Sequence, residues 1–269
     1  MKKILLVGCG HMGSALLSAW VNIHSFKISI IDPLKYLTLK KKYSKKITVY
    51  KSIEEVRNIN EFHIIIFAVK PQIAKSIINY FCSTVRKNMF FLSIMAGKKI
   101  NFFEKNLNKS TQIIRAMPNM PAFVNEGMTC LFANKNVSNK NKYIAENLFK
   151  NVGKVLWLKK EIDIDKVTAI SGSGPGYFFL FIEHLLSESL KLGLNSEKIK
   201  LLVYQTALGS IELLIKSNKT AKQLRKSIAI KGGTTEAAIN IFEKNKKLKK
   251  LINVALKEAY KKSKMLGDN

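Results

Sequence analysis

The sequence predicts an α/β chain: a doubly wound sheet in its first part, followed by an all-helical domain. Three observations predict it. Residues 1–162 alternate short apolar runs with amphipathic stretches, as β-α-β units do. A GxGxxG separates the first run from the first amphipathic stretch, and past Asp163 the strand-like runs stop. The chain is accordingly divided into residues 1–162 and a helical domain of residues 163–269.

The strand candidates, in order, are residues 3–7, 28–31, 47–49, 63–68, 89–94, 112–116, 129–132 and 155–158, each a short apolar run of the kind that fills a sheet buried on both faces. Met12, Ala15, Leu16 and Ala19 fall at helical spacing, so a helix follows the first strand directly. In the second part Phe178, Phe181, Ile182, Leu185 and Leu186 make one apolar face. Ile199, Leu202, Val203, Ala207, Ile211 and Leu214 make another, and Leu248, Leu251, Ile252, Ala255, Leu256 and Ala259 a third. Faces this wide on so short a region predict burial against a second subunit as well as against each other.

Composition narrows the class. The longest apolar runs, residues 64–69 and 178–182, fall far short of the roughly 20 residues that cross a bilayer, so no membrane partner is expected. Lys2 and Lys3 precede an apolar stretch as in a signal peptide, but Gly8 and Gly10 end it too early, and a cytoplasmic location is expected. Cys9, Cys82 and Cys130 are odd in number and lack CxxC spacing; they are read as buried small hydrophobes, with no disulfide framework and no metal site. The net charge of +28 invites a nucleic-acid reading, but only Arg57, Arg86, Arg115 and Arg225 of the 46 basic residues can make the bidentate contacts that read bases. Lysine spread through every segment beside abundant Ile and Asn is read as compositional drift, with no specific nucleic-acid partner.

The chemistry-bearing motifs follow strands or open helices. Gly8-Cys9-Gly10-His11-Met12-Gly13 is a GxGxxG between a strand and a helix, the context in which glycines allow a tight turn, backbone approach to a pyrophosphate and close helix packing. A Rossmann-type dinucleotide-binding domain is the result. Asp32 ends the second strand, where a carboxylate suits the adenosine ribose of NADH, or it only starts the turn at Pro33; Lys35 is near enough to compensate a 2′-phosphate, so NADPH or NADH stays open. Ala68-Val69-Lys70-Pro71 lies at the fourth strand's carboxyl end, where Lys70 is either a cofactor contact or a solvated turn lysine. In Arg115-Ala116-Met117-Pro118-Asn119-Met120-Pro121 the two prolines fix an extended loop that holds Asn119 rigidly, or merely route the chain.

Ser171-Gly172-Ser173-Gly174-Pro175-Gly176-Tyr177 reads as either a close backbone approach or a helix kink. Residues 177–182 carry neither the Lys nor the His that an alcohol dehydrogenase needs, and His184 reads as a surface or packing residue. Lys231-Gly232-Gly233-Thr234-Thr235-Glu236 opens a helix and reads as an anion cradle, since glycines admit a ligand to unpaired first-turn N–H groups; a Gly-Gly loop with a Thr N-cap is the plainer reading.

Together, in this order, the GCGHMG start, AVKPQ, RAMPNMPA with NEGMT, SGSGPGY and GGTTEAAI resemble pyrroline-5-carboxylate reductase over essentially the whole chain. The resemblance implies reduction of 1-pyrroline-5-carboxylate to L-proline with NADPH or NADH, the last step of proline biosynthesis. It also implies a helical domain that interleaves with its mate in a dimer, often in larger assemblies such as decamers. It implies that Thr235 hydrogen-bonds the ring nitrogen, that the N–H groups of Gly233, Thr234 and Thr235, beside Gly232, hold the substrate carboxylate, and that Asn119 and Pro121 help close the site. Gly8, Gly10, His11, Met12 and Gly13 fall at the cofactor phosphates, and Ala68, Val69, Lys70 and Pro71 beside the nicotinamide half. Ile230-Lys231 stands where the family has Ser-Pro, Gly176 where it has alanine, and His11 where asparagine is common. A reductase of another small imine or hydroxy acid in the same two-domain fold, or a basic anion- or nucleic-acid-binding protein, is the competing expectation.

Overall fold

A computed structural model describes residues 1–86 and 88–268. It forms two units, Met1–Ser173 with the stretch from Ala259 onward, and Gly174–Glu258. The first unit runs β1 (Lys2–Val7), α1 (His11–Trp20), β2 (Phe26–Ile31), α2 (Tyr36–Tyr43), β3 (Ile47–Tyr50), β4 (Ile64–Phe67), α3 (Ala74–Asn79), β5 (Phe90–Ser93), α4 (Ile100–Asn106), β6 (Gln112–Met117), β7 (Gly127–Ala133), α5 (Asn139–Lys150), β8 (Gly153–Trp157) and α6 (Asp163–Val167). All eight predicted strands form, each within two residues of its expected bounds.

They make one sheet in the order β3-β2-β1-β4-β5-β6-β7-β8. The winding direction reverses between β1 and β4, which opens a crevice at their carboxyl ends. The sheet is parallel except at one place: β6 and β7 run antiparallel. The cause is the connection. Between Met117 and Gly127 there is no room for a crossover helix, so the chain doubles back. Nor is that connection extended throughout, because a 3₁₀ turn occupies Met120–Val124 with Pro121 in its first turn, where a fixed φ favours helix.

Alternation along each strand feeds two cores. Ile4, Leu6, Ile64 and Ile66 face α1 and α5, where Leu16, Trp20, Leu148 and Phe149 are buried. The Trp20 indole N–H donates to the Leu148 carbonyl at 2.8 Å, so the two helices are tied as well as packed. Leu5, Val7, Ile65 and Phe67 face the other way, and Phe67 stacks on Phe91 at 5.8 Å and meets Phe81 edge-on. Cys9 and Cys130 are buried as expected, whereas Cys82 is exposed, its thiol donating to the Asn106 carbonyl in a surface turn.

The second unit comprises α7 (Gly174–Leu190), α8 (Ser196–Lys216), α9 (Ala221–Ile228), α10 (Thr234–Glu243) and most of α11 (Lys247–Asp268), whose last turns belong with the first unit. In α8, Ile199 and Val203 are buried, whereas Phe178 and Phe181 of α7 and Leu202 and Ile211 of α8 stay exposed in the single chain. A π-helical turn, Thr168–Gly172, precedes α7 and overlaps the small-residue segment at Ser171 and Gly172 with a change of helical pitch. Nothing lies within 4 Å of a Cβ built at Gly174 or Gly176.

Candidate active site

In the first unit the sequence-predicted residues meet at the carboxyl edge of β1, β2 and β4. Gly8 has φ +90°, and a Cβ there would stand 2.8 Å from the Ala68 carbonyl oxygen and from Val69 Cγ1, so this glycine lets the β1 turn touch the segment after β4. A Cβ on Gly13 would meet the Gly8 carbonyl at 2.9 Å, but one on Gly10 would meet nothing within 4 Å. The open space is at the middle glycine. There α1 begins with Gly10 as N-cap and no side chain capping it, while His11 is exposed and Met12 half-buried. Bare first-turn N–H groups beside a glycine with room in front of it fit a pyrophosphate.

Asp32 is 8% exposed, and both its oxygens are engaged. Oδ2 accepts from the Cys9 N–H at 2.7 Å and Oδ1 from the Lys35 N–H at 2.9 Å. The Lys35 ammonium donates to Ser14 Oγ at 3.0 Å, and the Ser14 hydroxyl donates to the Cys9 carbonyl at 2.9 Å. Burial pushes the Cys9 thiol up, opposed by Ser14 and Lys35. Lys70 is exposed on extended backbone before Pro71, as the residue preceding proline prefers.

Asn119 is buried and fully used. Its Oδ1 accepts from the Met128 N–H at 2.8 Å, and its Nδ2 donates to the Ser171 carbonyl at 3.1 Å. It therefore ties the start of β7 to the turn before α7.

One loop at the same edge escapes motif reading, that between β5 and α4. Gly97 has φ +80°, and a Cβ on it would come within 2.3 Å of the Leu266 carbonyl oxygen. The end of α11 therefore seats on this loop, and nearby the Ser263 hydroxyl donates to Asp165 at 2.8 Å, both residues 3% exposed. The available signal was Ala96-Gly97 a few residues after a strand.

In the second unit the GGTTE segment starts α10, with Gly233, not a threonine, as N-cap and no side-chain cap. The contrast with α5, α8 and α9 is sharp: Ser138, Asn195 and Thr220 cap those helices with their own side chains. Gly232, at φ +77°, donates its N–H to Glu236 Oε2 at 2.7 Å, and the Gly233 N–H closes a turn on the Ile230 carbonyl at 2.9 Å. The Gly233 N–H, expected in the cradle, is here engaged within the turn. The bare donors of the first turn are Thr234, Thr235 and Glu236.

His184 is exposed on α7. Among the described residues no group of three His, Cys, Asp or Glu side chains could hold a metal, and no helix is long and apolar enough to cross a membrane. A groove of about 750 Å³, lined by Lys2, His63, Arg86 and Gln112 among others, lies at the amino ends of the strands, the edge opposite the glycine loop.

Comparison with known proteins agrees with this geometry. The family model described as pyrroline-5-carboxylate reductase dimerisation matches residues 161–266, and one described as NADP oxidoreductase, coenzyme F420-dependent, matches residues 3–97. A pyrroline-5-carboxylate reductase of Pseudomonas aeruginosa is 32% identical over 99% of this chain and 97% of its own length. Among solved structures, the Plasmodium falciparum pyrroline carboxylate reductase with NADP bound is 34% identical with a TM-score of 0.88, covering 99% of this chain and 98% of that one. The Coxiella burnetii pyrroline-5-carboxylate reductase is 31% identical with a TM-score of 0.85, covering 98% and 97%.

Proposed function

The chain belongs to the pyrroline-5-carboxylate reductase family, and from that premise we propose how its residues reduce 1-pyrroline-5-carboxylate to L-proline with a reduced nicotinamide dinucleotide. The observation that carries the reading is a pair of uncapped helix starts, each opening on glycine: α1 at Gly10 and α10 at Gly233. One suits a pyrophosphate and the other a small carboxylate.

NAD(P)H, when bound, supplies the hydride that reaches C5 of the cyclic imine. Gly8, Gly10, His11, Met12 and Gly13 hold the dinucleotide phosphates, with Asp32 and Lys35 at the adenosine end and Ala68, Val69, Lys70 and Pro71 at the nicotinamide end. The Thr234, Thr235 and Glu236 N–H groups take the substrate carboxylate. The Thr235 hydroxyl hydrogen-bonds the ring nitrogen, which must carry a proton for C5 to accept hydride, so no strong side-chain acid is required. The protonated imine and the hydride together balance the product amine. Gly232 and Gly233 shape the turn that presents these donors, and Asn119 acts as a positioning residue through Met128 and Ser171.

The chain is a homo-oligomer built through its helical domain; the exposed apolar residues of α7 and α8 support an interleaved dimer, with a decamer as the larger assembly. We place the functional division at residues 162/163, near where the dimerisation match begins, and the protein in the cytoplasm. The test is product formation. Incubation with 1-pyrroline-5-carboxylate and reduced coenzyme is expected to yield L-proline in equal molar amount to coenzyme oxidised. Coenzyme oxidation without proline, or with equal turnover of unrelated imines and hydroxy acids, would refute the substrate assignment.

A further inference from the structure

A carboxylate at the end of β2 ordinarily accepts hydrogen bonds from the adenosine ribose and repels a 2′-phosphate, which marks a site for NADH. Asp32 holds that position without being free for that task. It is 8% exposed, and its two oxygens are taken by the Cys9 and Lys35 N–H groups at 2.7 and 2.9 Å. These bonds bind the glycine loop to the β2–α2 turn.

Beside that carboxylate the turn carries a cation. The Lys35 ammonium is parked on Ser14 Oγ at 3.0 Å, and because the Ser14 hydroxyl is spent on the Cys9 carbonyl, Ser14 can only accept from the lysine. Two of the three ammonium donors of Lys35 stay available for an acceptor. At the next residue, the ammonium groups of Lys40 and Lys51 lie 5.3 and 5.2 Å from the Tyr36 ring centroid. Asp32 is the sole acidic residue from Gly8 to Lys51. The next acids are Glu54 and Glu55, and Glu55 accepts from the Lys51 N–H.

Resting on the coenzyme reading above, we infer that this chain selects NADPH over NADH: Lys35, positioned by Ser14 and backed by Lys40 and Lys51, binds the adenosine 2′-phosphate. Asp32 is a positioning residue for the loop and turn rather than a ribose ligand.

Two fragments that differ only in the 2′-phosphate, 2′,5′-ADP and 5′-AMP, isolate this contact when titrated calorimetrically into the intact protein. The wild type is expected to bind 2′,5′-ADP at least about tenfold more tightly, the lower end for a charge-assisted contact. Lys35→Gln is expected to remove most of that difference while leaving 5′-AMP binding in place. Asp32→Asn is expected to weaken NADPH and NADH together, without reversing the preference. Equal binding of the two fragments by the wild type, equal losses for both fragments in Lys35→Gln, or a loss confined to NADH in Asp32→Asn would each overturn the assignment. Folded protein that binds neither fragments nor coenzymes would refute the coenzyme reading itself, a failure visible separately from a failure of selectivity.

Discussion

Thr235 and Glu236 stand side by side at the start of α10 and do opposite things. Thr235 offers a hydroxyl and a bare N–H, while Glu236 turns its carboxylate back onto the Gly232 N–H at 2.7 Å. A carboxylate this close to an anion cradle repels the substrate's own, so its presence needs compensation. Fixing the turn supplies it, where Ile230-Lys231 lacks the stiffness of a proline. Glu236→Ala is therefore expected to raise KM for 1-pyrroline-5-carboxylate several-fold with kcat less affected, and Glu236→Gln, which keeps an acceptor, to restore it. Alanine and glutamine variants with the same KM would show that the clamp has no role. At the thiols, burial raises Cys9 and Cys130 while Cys82 is exposed. An alkylating reagent on native protein is expected to label Cys82 alone, as peptide mapping would read; rapid labelling of Cys9 would contradict the enclosed loop.

Among the elements, β7 and β8 depend on two glycines. Gly153, at φ +139°, brings its backbone so near Gly127 that a Cβ would stand 1.9 Å from the Gly127 carbonyl oxygen. Gly153→Ala is expected to cost about 3 kcal/mol or more, from the strained φ and the clash combined. Thermal unfolding would report it, and an unchanged Tm would rule out this pairing of the strands. The central strands β4 and β5 were legible because each is an apolar run buried on both faces, while the edge strands β3 and β8 are only half-buried and were legible from their apolar residues alone. Their direction was not: apolarity carries no sense of travel, and only the short link from Met117 to Gly127 forces β7 to run antiparallel. The glycine loop was legible in place and spacing. The partners of Asp32 and the spent N–H of Gly233 were not, because sequence fixes where a group stands but not which neighbour reaches it first. Gly97 was passed over because what demands it, the Leu266 carbonyl, is far away in sequence.

For the whole molecule, charge and apolar surface pull on different behaviours. A formal charge of +28 carried almost entirely by lysine is expected to give weak binding to any polyanion, lost as salt rises toward physiological strength. A DNA footprint that survives such salt would overturn the reading of the charge as drift. The exposed Phe178, Phe181, Leu202 and Ile211 require a partner of similar character, and sedimentation is expected to find no stable monomer. The proposed reaction asks for both of the uncapped helix starts that open on glycine, α1 for the coenzyme and α10 for the imine. The most direct test compares pyrroline-dependent NADPH oxidation by wild type and Thr235→Ala, with NADPH binding measured on the same samples. Loss of the hydroxyl is predicted to lower kcat/KM about 10- to 100-fold, the worth of one charge-assisted bond, with coenzyme affinity unchanged. Turnover in Thr235→Ala equal to wild type would contradict the account.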